Sequence, residues 1–330
     1  MAAPESGLVG PVAVVGAGSI GVAWSVVFAR AGACVVLQDP DGARLRAAPG
    51  ALGERLARLH ASGLLDESVD VVAGRVTTTN GLPDAVAGAA YVQECAPEQL
   101  ALKQALFAEL DRHAPAGAVL ASSSSAMPCS SFAADLPGRT RCLVVHPGNP
   151  PYLLPVVELV PAPFTAPEVV DRAEALLSAA GMSPVRVHAE IEGFVFNRLQ
   201  GALLREAYCL VRDGVVSAAD VDRVVRDGLG RRWSVVGPFA TAELNTRGGL
   251  EAHAQRLGPA YARMGAERGQ HDPWTPALVD RVAAEVHATL PPETWEDSVR
   301  WRDACLLVLE RARRDSPLFE SGPAAVKGAE

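Results

Sequence analysis

The sequence predicts an α/β protein in which a doubly wound, mostly parallel sheet is followed by a second, all-helical domain. Two observations predict this fold class. Up to residue 192, short apolar runs alternate with helical patterns, as is typical of strands joined by crossover helices. From residue 193 onward, the patterns are helical, with Pro and Gly between them. We therefore predict domains at 1–192 and 193–330. We expect the Gly/Pro/Ala-rich tail from about 316 to be frayed.

The first strand and the first helix frame a glycine-rich turn. The apolar run 12–15 predicts a buried strand, and 20–30 has a helical pattern. Between them lies the turn GAGSIG over residues 16–21, and a second apolar run, 34–37, leads to Asp39. The order of strand, glycine turn, helix, strand and acid is the Rossmann-type dinucleotide fingerprint in the context that it requires.

Each part of this fingerprint has a physical role in binding NAD. Gly16 permits a sharp turn, Gly18 lets a pyrophosphate approach the backbone, and Gly21 lets the helix pack closely on the strand. The carboxylate of Asp39 can accept both ribose hydroxyls and would repel a 2′-phosphate, so we expect NAD rather than NADP. The predicted cofactor-binding residues of the fingerprint are Gly16, Gly18, Ser19, Ile20, Gly21 and Asp39.

The remaining elements follow in chain order. Residues 41–65 have near-periodic leucines, and Pro49-Gly50 interrupts them, which leaves open one helix or two. In the first domain, we predict strands at 75–79, 91–95, 118–121, 141–145, 156–160 and 184–187 and helices at 100–112 and 167–180. In the second domain, we predict helices at 193–213, 217–228, 237–247, 250–265, 275–288 and 295–313.

The composition argues against several classes of function. The 330 residues are 49% apolar and carry a net charge of −8, without a basic stripe, so nucleic acid is not expected as a partner. No apolar run reaches the ~18 residues that a membrane span needs. The first residues lack the features of a signal peptide. The six cysteines are scattered without a C-x-x-C motif, so we expect no disulfides, no metal site and a cytoplasmic location.

Polar side chains follow two strands of the first domain. Ser122-Ser123-Ser124-Ser125 follows one strand, and His146 follows the next. Ligands of open α/β sheets bind at the carboxyl ends of strands, so we expect both turns to face the cofactor crevice. Glu158 lies in an otherwise apolar strand, where a buried acid needs a partner. His146 is the obvious partner, and the pair would orient the imidazole and raise its basicity.

Each of these residues also has a purely structural interpretation. Serine-rich turns usually cap helices, and a short helix is predicted from Ser130. A histidine after a strand is commonly a satisfied structural group, and Glu158 could lie exposed at a sheet edge. The joint placement of these residues after the fingerprint favours catalysis.

Motifs spread over nearly the whole chain carry a family resemblance. They are Gly16-x-Gly18-x-x-Gly21, Ser123-Ser124-Ser125, His146-x-x-Asn149-Pro150, Glu158 and Gly193-Phe194-Val195-Phe196-Asn197-Arg198. Together they resemble the L-3-hydroxyacyl-CoA dehydrogenase superfamily. The resemblance is closest to the lambda-crystallin / L-gulonate 3-dehydrogenase branch. Its motifs here are Gln93-Glu94-Cys95, His146-Pro147-x-Asn149-Pro150-Pro151-Tyr152, Val157-Glu158-Leu159-Val160-Pro161 and Trp301-Arg302-Asp303-x-Cys305-Leu306.

The resemblance implies catalytic roles. His146 would be the general base, polarised by Glu158, and Ser125 would hydrogen-bond the reacting hydroxyl. Asn197 would help to position the substrate. The residues implied to contact the substrate are Ser125, Asn149, Asn197 and Arg232.

The resemblance also implies cofactor contacts and an assembly. Glu98, Lys103 and Ser123 match positions that contact the cofactor, although a solvated helix face is the alternative for Glu98 and Lys103. The helical domain resembles the family's dimerisation domain, so we expect a homodimer that is assembled through it.

Two departures from the family pattern bear on the substrate. Acyl-CoA members commonly have Ser-Asn-Thr-Ser where this chain has four serines, so Ser123 replaces an amide. CoA carries a phosphorylated adenosine and favours a basic arm, but residues 41–75 have five Asp/Glu, five Arg and no Lys. A small carboxylate would instead need a fixed cation. Arg232 (or Arg231) can supply one, unless it is a loop arginine paired with a surface acid.

The sequence therefore predicts an NAD-dependent enzyme that oxidises the 3-hydroxyl of a small hydroxy acid, most simply L-gulonate to 3-dehydro-L-gulonate. Within enzymes, the alternatives are 3-hydroxyacyl-CoA, such as 3-hydroxybutyryl-CoA, and L-carnitine. For L-carnitine, Trp233 and Tyr152 could form an aromatic cage. An alternative of another class is a non-catalytic, crystallin-like structural protein that binds NAD. The intact catalytic set argues against that alternative.

Overall fold

The structure is a computed structural model that describes residues 10–247, 249–268, 277 and 291–315. The chain divides into two units. The first extends to Arg198 and includes Cys305–Ala312, and the second contains Leu199–Ala304 and continues from Arg313. The domain boundary expected near residue 192 stays a prediction. Apart from residue 277, the predicted helix 275–288 lies outside the described residues, as do the first nine residues and the tail from 316.

Eight strands in the described part of the first unit form one sheet, in the order β3-β2-β1-β4-β5-β6-β7-β8. The strands are β1 Val12–Val15, β2 Val35–Gln38, β3 Val76–Thr79, β4 Tyr91–Glu94, β5 Val119–Ser122, β6 Cys142–Pro147, β7 Val156–Pro161 and β8 Ser183–Arg186. Strands β1 to β6 are parallel, β7 is antiparallel to β6, and β8 is parallel to β7. The predicted mostly parallel sheet is confirmed.

Helices cover both faces of this sheet. They are α1 Ser19–Arg30, α2 Gly42–Ala61, α3 Val69–Ala73, α4 Leu82–Val86, α5 Leu100–His113, α6 Ser130–Ala133 and α7 Pro167–Ala179. Successive strand residues point to opposite faces. Accordingly, Val12 and Val14 pack in one buried cluster with α1, α2 and α7, and Ala13 and Val15 pack in another with α4 to α6. Burial on both faces makes the sheet doubly wound, as predicted.

Helix α2 is continuous through Pro49, so one helix forms where the sequence left open one or two. Proline removes one backbone donor from the helix. The helix persists because one of its faces packs in a buried cluster with α1 and α3. The buried residues of that face are Ala48, Leu52, Leu56 and Leu59. Asp41 caps its start, since its Oδ1 accepts a hydrogen bond from Ala43 N at 2.7 Å.

The second unit is helical in all the elements that the structure describes, as predicted. The division between the units lies within α8 Phe196–Arg212. The helices that follow are α9 Ala218–Val224, a π-helical turn Val225–Leu229, α10 Gly230–Trp233, α11 Pro238–Asn245 and α12 Gly249–Ala266. A C-terminal helix, Trp295–Arg314, is shared by both units, because its residues Cys305–Ala312 belong to the first. None of the described helices combines the length and the apolar character that crossing a membrane requires.

Candidate active site

The turn after β1 leaves the start of α1 open to a ligand. Gly16 has φ of +107°, and a Cβ there would lie 2.8 Å from the Cys95 carbonyl oxygen. A Cβ on Gly21 would lie 1.7 Å from the Gly16 oxygen. At Gly18, by contrast, a Cβ would meet no described atom within 4 Å, and no side chain caps the helix start. The unpaired N–H groups and the positive helix end suit a pyrophosphate.

Asp39 lies directly after β2, beside this turn, with 2% of its surface exposed. Its Oδ2 accepts a hydrogen bond from Ala17 N at 2.8 Å, and its Oδ1 accepts one from Asp41 N at 2.9 Å. A carboxylate has about four lone-pair sites, so acceptor capacity remains for ribose hydroxyls. The acid and the open turn therefore fit an adenine dinucleotide.

His146 and Glu158 form a buried pair across β6 and β7. The antiparallel register places them directly opposite each other, and His146 Nδ1 lies 2.8 Å from Glu158 Oε2. The predicted pairing is confirmed, and Glu158 is 3% exposed rather than at an open sheet edge. Since Nδ1 is engaged by the carboxylate, Nε2 is the ring nitrogen that a substrate hydroxyl can use.

The second oxygen of Glu158 is fixed by the start of α8. Glu158 Oε1 accepts hydrogen bonds from Val195 N at 2.7 Å and from Phe196 N at 3.0 Å. Burial acts to raise the pKa of this carboxyl, but the hydrogen bonds from His146, Phe196 and Val195 outweigh it and hold the pKa below its usual value. Glu158 is therefore a fixed negative charge beside the imidazole at neutral pH.

The serine turn after β5 is held from two sides. Glu98 Oε1 accepts hydrogen bonds from Ser124 Oγ at 2.5 Å and from Ser125 N at 3.1 Å. Asn197 Nδ2 donates to the Ser125 carbonyl oxygen at 2.8 Å. The structure thus brings Glu98, Ser125 and Asn197 together and leaves Ser125 exposed. Burial acts to raise the pKa of Glu98. The hydrogen bond from the Ser124 hydroxyl and the charge of Lys103 outweigh this effect, so the pKa of Glu98 lies below its usual value.

Lys103 lies in the interior, with 1% of its surface exposed, so a solvated helix face is wrong for this residue. Its Nζ lies 2.9 Å from both carboxylate oxygens of Glu94, and Ser122 Oγ donates to the same carboxylate at 2.5 Å. The predicted contact of Lys103 with the cofactor stays a prediction. Glu94 is not among the predicted site residues, although an acid in the apolar run 91–95 is a signal for a buried ion pair.

Ser123 ends a chain of hydrogen bonds between β4, β5 and α1. Its Oγ accepts hydrogen bonds from Gln93 Nε2 at 2.7 Å and from Trp24 Nε1 at 3.1 Å, and Tyr91 OH donates to Gln93 Oε1 at 2.7 Å. Burial raises the pKa of the neighbouring Cys95 to about 12, so this thiol stays protonated. The hydroxyl hydrogen of Ser123 remains available to Cys95 Sγ, 3.3 Å away, or to a ligand.

Two predicted substrate residues have exposed side chains. Asn149 follows β6 in the first unit, and Arg232 belongs to the short helix α10 in the second. Arg231 is exposed as well. The role of Arg232 in binding a carboxylate stays a prediction.

Arg55 lies beside the glycine turn, although no sequence motif indicated it. Its Nη1 donates to the Ser19 carbonyl oxygen at 2.9 Å, and its Nη2 donates to Ser19 Oγ at 3.1 Å. Its Cζ lies 5.8 Å from the centroid of the Tyr152 ring, which is 8% exposed. Tyr152 thus packs against a guanidinium, which weakens its predicted part in an aromatic cage.

Comparison with known proteins identifies the family to which these residues belong. The NAD-binding domain model of 3-hydroxyacyl-CoA dehydrogenase matches residues 11–191, and the C-terminal domain model of the same family matches residues 193–286. A lambda-crystallin homolog of Bos taurus is 41% identical over 325 residues, which is 96% of this chain and 100% of the relative. An L-carnitine dehydrogenase of Streptomyces griseus is 38% identical over 322 residues, which is 94% of this chain and 91% of the relative.

A solved structure with the same fold covers nearly all of the chain. It is the 5-dehydrogenase of 5-formyl-3-hydroxy-2-methylpyridine 4-carboxylic acid, an NAD⁺-dependent dismutase. Its TM-score is 0.78 at 28% identity, and the match covers 94% of this chain and 98% of that one. The open glycine turn and the acid after β2 fit this cofactor, and the match to the family's NAD-binding domain shows that the cofactor is NAD. The chain belongs to the 3-hydroxyacyl-CoA dehydrogenase family and is an NAD-dependent oxidoreductase that acts on a hydroxyl group.

Proposed function

We propose that this enzyme oxidises the 3-hydroxyl of a small hydroxy acid, with L-gulonate as substrate and 3-dehydro-L-gulonate as product. The observation that carries the proposal is the buried pair of His146 Nδ1 and Glu158 Oε2, which are 2.8 Å apart. His146 lies near the end of β6, and the glycine turn follows the end of β1. Because these strands run parallel in one sheet, both groups lie at the same carboxyl edge.

The residues of the first unit divide the catalytic work. His146 Nε2 accepts the proton of the substrate hydroxyl, and Glu158 stabilises the imidazolium that forms. The Ser125 hydroxyl donates a hydrogen bond to the reacting oxygen, and Asn197 fixes the backbone of Ser125. When bound, NAD supplies the acceptor for the hydride from C3. The products are a 3-keto acid, the reduced cofactor and one proton.

Three observations support a small acid over an acyl-CoA. A lambda-crystallin homolog is 41% identical to this chain, Ser123 stands where acyl-CoA members commonly have an amide, and residues 41–75 have no excess of basic charge. In the second unit, Arg232 offers an exposed guanidinium that can bind a carboxylate bidentately.

Arg232→Met tests the carboxylate contact. We expect KM for L-gulonate to rise roughly 10- to 100-fold, the typical worth of a charge-assisted hydrogen bond, while the Kd of NADH is unchanged. Arg226→Met is a matched control, because Arg226 pairs with Asp227 at 2.8 Å. Arg231→Met tests the neighbouring guanidinium. An unchanged KM in both Arg231→Met and Arg232→Met would contradict a substrate contact at this helix.

L-Carnitine is the second candidate substrate, because an L-carnitine dehydrogenase is 38% identical to this chain over 94% of its length. L-Carnitine also has a 3-hydroxyl and a carboxylate, so the same base and the same arginine would serve it. It differs in its quaternary ammonium, which requires aromatic side chains. Trp233 is 40% exposed, but Tyr152 is already packed against Arg55. This contrast ranks L-carnitine below L-gulonate.

A substrate panel tests the proposed function. Purified enzyme is assayed with L-gulonate, L-3-hydroxybutyrate, L-carnitine and 3-hydroxybutyryl-CoA, each with NAD and with NADP, and reduced cofactor is followed by absorbance. We expect the highest kcat/KM with L-gulonate and NAD. A higher value with L-carnitine or the acyl-CoA would replace the substrate. Tight NADH binding without turnover of any hydroxy acid would support the non-catalytic alternative.

We also propose a cytoplasmic homodimer that is assembled through the second unit. Its large exposed apolar side chains, which include Phe239 (78% exposed) and Leu244 (73%), favour burial against a second copy. The six cysteines, all of them in described residues, are free thiols and suit a reducing compartment. Light scattering of the eluting protein should give twice the mass of one chain, and a monomer mass would contradict the dimer.

A further inference from the structure

The guanidinium of Arg55 is held at the start of α1 by neutral acceptors. Within the described residues, both of its hydrogen bonds go to Ser19, one to the carbonyl oxygen at 2.9 Å and one to the hydroxyl at 3.1 Å. Ser19 is the first residue of α1 and lies between Gly18 and Gly21, where the dinucleotide phosphates bind. We propose that Arg55 is a cofactor-binding residue that contacts the pyrophosphate of NAD from outside the glycine turn.

The charge around Arg55 is unbalanced without an anion. Among the described residues, no carboxylate lies within 4.0 Å of its guanidinium. Arg58, one turn further along α2, is paired with Glu54 at 2.5 Å. The first turn of α1 contains no acidic residue either. A cation beside the positive end of a helix is unfavourable, and a bound anion would relieve both charges.

The glycine turn itself supplies no charged side chain to a pyrophosphate. Residues 16–21 are Gly, Ala, Ser and Ile, so their contribution is limited to backbone N–H groups and one hydroxyl. Two phosphate groups carry about two negative charges, and a guanidinium forms short, charge-assisted hydrogen bonds with phosphate oxygens. Arg55 supplies this positive charge at Ser19, within the glycine turn.

Tyr152 fixes the direction of the Arg55 side chain. Its ring lies 5.8 Å from Arg55 Cζ and is 8% exposed, so it forms a rigid surface below the guanidinium. Arginine loses considerable conformational entropy when it is immobilised, and stacking before the ligand arrives reduces that cost. Arg55 is thus pre-organised by Ser19 on one side and Tyr152 on the other.

The affinities of the Arg55→Met variant for cofactor fragments test whether Arg55 contacts the pyrophosphate or another part of the cofactor. Titration calorimetry gives the Kd of ADP-ribose, and competition with NADH gives the Kd of adenosine, which has no phosphate. We expect Arg55→Met to weaken ADP-ribose and NADH roughly 10- to 100-fold and to leave adenosine unchanged. Arg55→Lys keeps the charge but loses the planar fork, so we expect an intermediate Kd for ADP-ribose.

Arg58→Met is the matched control on the same helix, and its Kd for ADP-ribose should equal that of the wild type. An ADP-ribose Kd of Arg55→Met within about twofold of the wild type would overturn the proposal. An equal loss for adenosine and ADP-ribose would overturn it too, because the phosphates would then not be involved. A raised KM for the hydroxy acid with unchanged NADH binding would assign Arg55 to the substrate instead.

Discussion

The two carboxylate oxygens of Glu158 form hydrogen bonds with different groups. One oxygen binds the His146 imidazole, and the other accepts the backbone N–H groups of Val195 and Phe196. The side-chain pair could be predicted from the sequence, because a lone acid in an apolar strand needs a partner. The backbone partners could not, since they lie 37 and 38 residues away and depend on how α8 begins.

The same limit applies to other residues of the site. The sequence indicated His146, Ser125 and Asp39 because each follows a predicted strand or turn. It gave no indication of Arg55, which reaches Ser19 across 36 residues from the middle of a helix. Contacts between distant side chains require the packed fold, and local patterns do not encode them.

Glu158→Gln tests the electrostatic part of the pair. A glutamine can keep hydrogen bonds but removes the negative charge that stabilises the imidazolium. We expect a lower kcat and an acid limb of the pH–rate profile that moves to lower pH. The measurement is kcat between pH 5 and pH 9 with saturating NAD. Glu168→Gln, an exposed change on α7, is the control, and an identical profile for Glu158→Gln would contradict the role.

The strands and long helices of the first unit were predicted correctly, and two short helices, α3 and α4, were missed. Each of the strands β1 to β8 and each long helix of the first unit overlaps a range that the sequence predicts. Helices α3 and α4 have five residues each, too few for a helical period to be visible. Local caps start them: Ser68 Oγ accepts from Val71 N, and Pro83 lies in the first turn of α4.

The glycine turn before α1 allows the structural and ligand-binding roles of glycine to be separated. Gly21→Ala would place a Cβ 1.7 Å from a carbonyl oxygen, so we expect a loss of about 3 kcal/mol or more in the free energy of unfolding. Gly18→Ala meets no described atom, so we expect stability within about 1 kcal/mol of the wild type. Its NADH binding should weaken at least roughly tenfold, because the methyl occupies the approach of the pyrophosphate.

Chemical denaturation gives the stability of both variants, and NADH fluorescence gives the Kd. Wild-type NADH affinity in Gly18→Ala would contradict the assignment of this turn to the phosphates. Full stability in Gly21→Ala would contradict the close packing of α1 on β1.

At the scale of the molecule, the direction of β7 creates the site. Because β7 is antiparallel to β6, His146 and Glu158 fall opposite each other in the ladder. The sequence predicted a mostly parallel sheet without saying which strand departs. The length of the connection 148–155 indicates which strand it is. This connection is too short for a parallel crossover, which needs about a dozen residues or more. The helical character of the second unit could be predicted from its periodicity, whereas the contribution of Cys305–Ala312 to the first unit could not.

The lowered pKa of Glu158 has a consequence for acid stability. A carboxyl whose pKa is lower in the folded state than its unfolded value of 4.5 stabilises the fold fully above that value. This stabilisation is lost as the pH falls through the folded pKa. We expect urea unfolding to show Glu158→Gln as less stable than the wild type at pH 7, with the difference shrinking below about pH 4. If the difference in stability between the variant and the wild type grew as the pH fell, this expectation would be contradicted.

The turnover of His146→Gln tests the central claim most directly, namely that this imidazole is the general base. The measurement is kcat with NAD and the best substrate of the panel, with the Kd of NADH determined in parallel. We predict that kcat falls ~10²–10⁴-fold while the Kd of NADH stays at the wild-type value. A variant that turns over at the wild-type rate would contradict the claim.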